Sequence, residues 1–219
     1  MKQCRRFLKH HSLCLPLYIL FSVPMITTSL FICDSNAVTV SAGDPFKGKL
    51  INGVQFPMES IACKPARPNR SYTTPEVAGI LLQTFEEFRR KYPDSCDIVL
   101  GDLSQKHGGR LGRHESHQNG RDVDLGLFAK NNTALRRFVP MNHKNLDVAK
   151  TWHLIESLIK TQHVECIFLD KSVQALLYRY ASSKGVDPGY LSYVFDQAPG
   201  TGKKERIVQH EPGQAGPLP

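Results

Sequence analysis

The 219-residue sequence has no C-x-x-C pair, no internal repeat and no regular alternation of strands with helices. The first absence removes a thiolate zinc knot, the second a solenoid or propeller, and the third a doubly wound parallel sheet. No basic run is interleaved with aromatics either. Nucleic acid is therefore not an expected partner, although 28 Lys and Arg stand against 20 Asp and Glu. What remains is one α+β domain with an antiparallel sheet and flanking helices, preceded by a removable leader.

The leader is carried by Arg5, Arg6 and Lys9 followed by the largely apolar stretch 13–32, in which Pro16 and Pro24 disfavour a stable spanning helix. Ser35 and Ala37 have the spacing of a signal-peptidase site, so residues 1–37 are expected to be a signal peptide cleaved after Ala37, with Ala42 the next choice. An uncleaved N-terminal anchor is the alternative, and would be the chain's only membrane contact. Cys33 does not sit in a lipobox, because Phe31 and Ile32 are bulky where small residues are needed. Without residues 1–37 the formal charge falls from +8 to +5, a mild excess that suits an anionic envelope polymer. Cleavage also leaves Cys63, Cys96 and Cys166. An odd number in an oxidising compartment implies one bridge and one free thiol, or a partner outside the sequence.

The folded domain is expected over 45–196. Asn52 and Gly53 between Lys49–Ile51 and Val54–Phe56 form a short-hairpin signal. A helix should start at N-cap Thr74 with Pro75 in its first turn, bury Val77, Ile80, Leu81, Thr84, Phe85 and Phe88, and end before Pro93. Strands are predicted over Asp97–Leu103 and Asp124–Phe128. A second helix carries the stripe Leu146, Ala149, Trp152, Ile155, Leu158 and Ile159, with His153 beside it. A β-rich run, "HVECIFLD", then precedes a third helix closed by Gly185. The segment 197–219 is rich in Gly, Pro and Lys and reads as loosely ordered.

Chemistry is concentrated in "HESHQNGRDVDLGLF", residues 114–128. Neutral imidazole and carboxylate are a donor set zinc accepts, and His117 and Asp124 can reach one ion from a loop and its adjoining strand. Asn119 and Gly120 supply the turn between them. Asp122 and Asp124 share one face of that strand, Val123 and Leu125 the other.

The longer run 101–128, "GDLSQKHGGRLGRHESHQNGRDVDLGLF", resembles the first metal motif of the penicillin-insensitive murein endopeptidases, zinc peptidases of the LAS group. Ser104, Gly108, Gly109, His114, Ser116, His117, Gln118, Gly120, Asp122, Val123 and Asp124 carry the likeness. It implies a LAS-type sheet bearing a zinc cleft, with His117 and Asp124 as metal ligands, His114 lining the cleft and Asp122 a carboxylate behind the ligands. Ser116 and Gln118 are expected to fix the loop. It further implies a secreted, periplasmic or envelope enzyme that cleaves D-alanyl amide bonds in peptidoglycan cross-links. The same family supplies a third ligand and a base from a late H-x-x-H-x-H block, where this chain has Gln214, Pro217 and Pro219. Prolyl side chains carry no donor atom, and His210 is the nearest substitute. The expectation is therefore a truncated C-terminal segment, with a non-catalytic envelope or peptidoglycan-binding protein as the alternative function.

Overall fold

The computed structural model describes residues 37–195 and 206–210. Its elements are β1 (Val40–Asp44), β2 (Lys47–Ile51), β3 (Val54–Gln55), β4 (Cys63–Pro65), β5 (Tyr72–Thr73), α1 (Pro75–Lys91), β6 (Ile98–Leu100), α2 (Val148–Lys160), β7 (Ile167–Phe168), α3 (Lys171–Ser183), α4 (Pro188–Val194) and β8 (Val208–Gln209). The α+β class holds. The strands form four two-stranded sheets, β1–β2 and β3–β5 antiparallel, β4–β6 and β7–β8 parallel.

Helix α1 starts as its sequence dictates: Thr74 Oγ1 accepts from Val77 N at 3.3 Å, and Pro75 loses no hydrogen bond at the first position. Arg89, Arg90 and Lys91 place positive charge at its carbonyl end. Its buried face, Ala78, Leu81, Thr84, Phe85 and Phe88, packs with Phe56, Ile98, Leu100, Leu103 and Phe128 in a first core. Phe88 and Phe128 stack there at 4.3 Å. A second core joins Leu146, Trp152, Ile155 and Ile159 to Val173, Leu177, Leu191, Val194, Phe195 and Val208. Helix α2 serves both, sending Leu154 and Leu158 into the first core and Trp152, Ile155 and Ile159 into the second. Its N-cap is Asp147, so Leu146 is buried just ahead of the helix rather than on it.

The structure departs from the sequence-based expectations in further places. The hairpin turn lies at Pro45–Phe46, between β1 and β2, whereas Asn52–Gly53 is where the chain leaves that ribbon so that β3 can pair with β5. Asn52 is left-handed at φ 51° but Gly53 is not, so the pair lacks the two positive φ angles of a tight type I′ turn. The disulfide expected among Cys63, Cys96 and Cys166 is not formed, because Cys63 and Cys96 are both free thiols. Cys63 is buried beside Ser60, and burial, opposed by that hydrogen bond and aided by Asp97, pushes its thiol up to about 12. Cys96 donates to Asn132 O. Finally, the segment after residue 197 contains β8, whose Val208 is fully buried and paired beside β7. The leader 1–36 and positions 214, 217 and 219 lie outside the described residues.

Candidate metal site

Strand β6 runs into Gly101, Asp102, Leu103 and Ser104, and the chain returns beside it at 124–126. Gly101 N donates to Asp124 O at 2.8 Å, Asp124 N to Asp102 O at 3.0 Å, and Gly126 N to Val99 O at 2.8 Å. This antiparallel pairing is a single bridge, Leu100 with Leu125, rather than the full strand expected over Asp124–Phe128. It is enough to set the faces. Val123 and Leu125 pack on the first core, and Asp122 and Asp124 point the other way, toward His117.

Between these two segments the loop 104–122 leans on the β1–β2 hairpin. Leu50 N donates to His107 O at 3.1 Å, Gln118 N to Pro45 O at 3.1 Å, and Ser41 Oγ to Asn119 O at 2.8 Å. Thr73 Oγ1 donates to Gly120 O at 2.7 Å. Gly108 permits the approach: a Cβ there would stand 2.2 Å from Gln118 O and 2.3 Å from Leu50 N, at a φ of 68°. Within the loop, Gln118 Nε2 donates to Glu115 O at 3.0 Å, in keeping with a loop-fixing role.

His117 is 5% exposed and takes a left-handed φ of 66°, a conformation that costs on the order of 1–3 kcal/mol unless its surroundings impose it. Here they do. Its backbone N donates to Asp122 Oδ2 at 2.8 Å, its Nδ1 lies 2.8 Å from Leu103 O, and its Nε2 lies 3.3 Å from Asp124 Oδ1. Asp122 thus holds the loop conformation that aims the imidazole. Burial disfavours the charged ring, but the hydrogen bond and charge of Asp124, the Leu103 carbonyl and Asp122 together raise the His117 pKa above the ordinary histidine value.

The His114 ring stands beside that of His117, with centroids 4.9 Å apart. His114, His117 and Asp124 each offer a ligand atom, all within 4.8 Å of one another, so the three could hold a metal ion. Two observations fit a cation. Asp124 Oδ2 is buried with no hydrogen-bond partner, and a divalent ion would satisfy it. The proton between His117 Nε2 and Asp124 Oδ1 is the one a cation would replace, while Leu103 O keeps the other ring proton on Nδ1. The sequence reading has His114 lining the cleft; in the structure its Nε2 lies 3.2 Å from Asp102 Oδ2.

Asp102 itself was missed. It is fully buried, and its second oxygen faces Arg67 Nε at 3.0 Å while Arg70 Nη1 approaches Oδ2 at 3.0 Å. Arg67 meets Oδ1 as an ion pair without good hydrogen-bond alignment. An acidic residue between Leu100 and Leu103, at the end of a strand, was the available signal. His210 does not join the metal group. It follows β8 and lies near enough to Asp170 to help lower that carboxyl's pKa, behind the larger effect of the Ser172 hydroxyl.

No curated protein matches the sequence. The profile of the penicillin-insensitive murein endopeptidases matches residues 41–194, a span that runs from β1 to the end of α4 and includes the whole metal loop. The chain belongs to the penicillin-insensitive murein endopeptidase family.

Proposed function

We propose that this protein is a zinc-dependent endopeptidase that cleaves D-alanyl amide bonds in peptidoglycan cross-links. The observation that carries the reading is the convergence of His114, His117 and Asp124 inside the span matched to the family, where Asp124 also keeps a buried carboxylate oxygen, Oδ2, without a partner. Two imidazoles and a carboxylate are the ligand set of many catalytic zinc sites, which keep a fourth position for water or substrate. Bound zinc supplies Lewis acidity, lowering the pKa of water and polarising a carbonyl. The chain's part is to present the ligands without rearrangement: Leu103 and Asp122 fix His117, and the backbone pairing with Gly101 and Asp102 fixes Asp124. A groove of about 380 Å³, lined by Asn69, Arg70, Tyr72, Gln105 and Lys106, shares Arg70 with the Asp102 pair and offers positive charge to the carboxylates of stem peptides.

Work on peptidoglycan calls for an envelope location, and the leader supplies the route. Mature protein recovered from an envelope fraction should begin near Val38 by mass spectrometry; an intact Met1 form in the cytoplasm would contradict this. No described helix is long and apolar enough to cross a membrane. Cross-linked muropeptides, incubated with the purified zinc-loaded protein, should give monomers by chromatography, and a chelator should stop their release. Intact dimers, together with co-sedimentation of the protein on peptidoglycan, would favour the non-catalytic binding protein.

A further inference from the structure

Asp102 is a carboxylate with no solvent exposure, and no step described so far uses it. Two guanidinium groups meet it: Arg67 Nε at Oδ1 and Arg70 Nη1 at Oδ2, each at 3.0 Å. One aspartate needs only one cation to offset its charge, and burying such a cluster carries a desolvation cost. Its third partner supplies a reason to keep it. His114 Nε2 lies 3.2 Å from Oδ2, with the ring 20% exposed and standing next to His117.

The contact is an ion-pair distance rather than an aligned hydrogen bond, but a carboxylate this close to a ring nitrogen repels a bare lone pair there, so it favours the His114 tautomer with hydrogen on Nε2 and a lone pair on Nδ1. Nδ1 is then the atom left free for a metal. His117 uses the opposite arrangement, with Nδ1 held by Leu103 O and Nε2 turned to Asp124. The two rings thus receive their orientation from different devices, a backbone carbonyl for one and a buried carboxylate for the other. We infer that Asp102, clamped by Arg67 and Arg70, is a positioning residue that fixes the ring and tautomer of His114 so that Nδ1 faces the metal site. The inference rests on the proposed zinc site but concerns how one ligand is held. Partners of this kind typically account for about ten- to a hundredfold in metal affinity.

The first test uses the unaltered, metal-free protein. Long-range proton–nitrogen NMR should show His114 with hydrogen on Nε2 and none on Nδ1, and added zinc should shift the Nδ1 resonance. Hydrogen on Nδ1 would overturn the inference, whether or not zinc binds. The second test is a cycle on zinc affinity, read by competition with a chromophoric chelator. Asp102→Asn should weaken binding roughly ten- to a hundredfold, and should have little further effect in a His114→Ala background, where no ring remains to be positioned. An equal loss in both backgrounds would make Asp102 a merely structural residue. A parent protein that binds no zinc while showing the Nε2 tautomer would sink the zinc reading and leave the positioning of His114 standing.

Discussion

The metal loop, residues 104–124, and the helical part, α2 to α4, are held by different forces. In the helical part the fixed points are apolar side chains: Trp152, Leu177, Leu191, Val194 and Phe195 bury their surfaces against one another, and Asp147, Asp170 and Asp187 cap the helices. The metal loop contains no helix and only isolated bridges. Its shape comes from backbone donors that find carbonyls on the hairpin, from positive φ at Gly108, Gly109, His117 and Gly120, and from the carboxylates of Asp102, Asp122 and Asp124. Burial stabilises without specifying direction, whereas hydrogen bonds and charges specify direction at little net gain in stability. A metal site would need direction, and the candidate group of His114, His117 and Asp124 stands where the second kind of force dominates.

Substitutions in the two regions should therefore separate stability from metal binding. Leu177→Ala, in the middle of α3, removes a fully buried side chain and should cost about 2–5 kcal/mol of stability by urea unfolding. Zinc stoichiometry of the folded fraction should stay at the parent's value, and a proportional loss of zinc would break the contrast. Gly108→Ala should be the costliest alanine in the loop, because its Cβ meets backbone at 2.2 Å and the hairpin must move. Gly109→Ala makes a control at nearly the same φ, 76°, with nothing within 4 Å. It should cost only the left-handed preference, about 1–2 kcal/mol. Similar costs for the two would mean that the hairpin does not fix the loop.

The smallest effect is one of pH, and it has opposite signs in the two regions. His153, on α2, has its pKa lowered by burial and by Lys91, whose Nζ lies 3.2 Å from Nδ1. Its contribution is fully present above the unfolded value of about 6.5 and declines as pH falls through that value toward the lower folded one. His117, raised in the metal-free protein, contributes below about 6.5 and loses that contribution as pH climbs through its higher folded value. His153→Gln should thus flatten the loss of metal-free stability on acidification, seen as a urea midpoint that changes less between neutral and mildly acidic buffer. An unchanged profile would remove His153 from the account. Zinc, which must displace the His117 proton, should bind more weakly as the pH drops through the raised His117 value.

This division also explains what could be read from the sequence. Helix α1 was legible to its first residue, because Thr74, Pro75 and the spacing of Leu81, Phe85 and Phe88 are local signals. Gly185, at φ 76°, closes α3 as expected. The pairing of β3 with β5 rather than β2, and the burial of Val208, depend on contacts between distant segments and left no local trace. In the candidate site, the motif's donor types and spacing suffice to expect His117 and Asp124 close together, and the structure brings them together. Asp102 was not legible, since its meaning lies in Arg67, Arg70 and His114, which the fold gathers from separate segments.

The central claim is that His114, His117 and Asp124 form one zinc site. Its most direct test is zinc content after exhaustive dialysis, measured by elemental analysis on the parent and on Asp124→Ala, with circular dichroism to show that both are folded. The account predicts close to one zinc per parent chain and almost none in the folded variant. Equal zinc in the two proteins, or none in the parent, would contradict it.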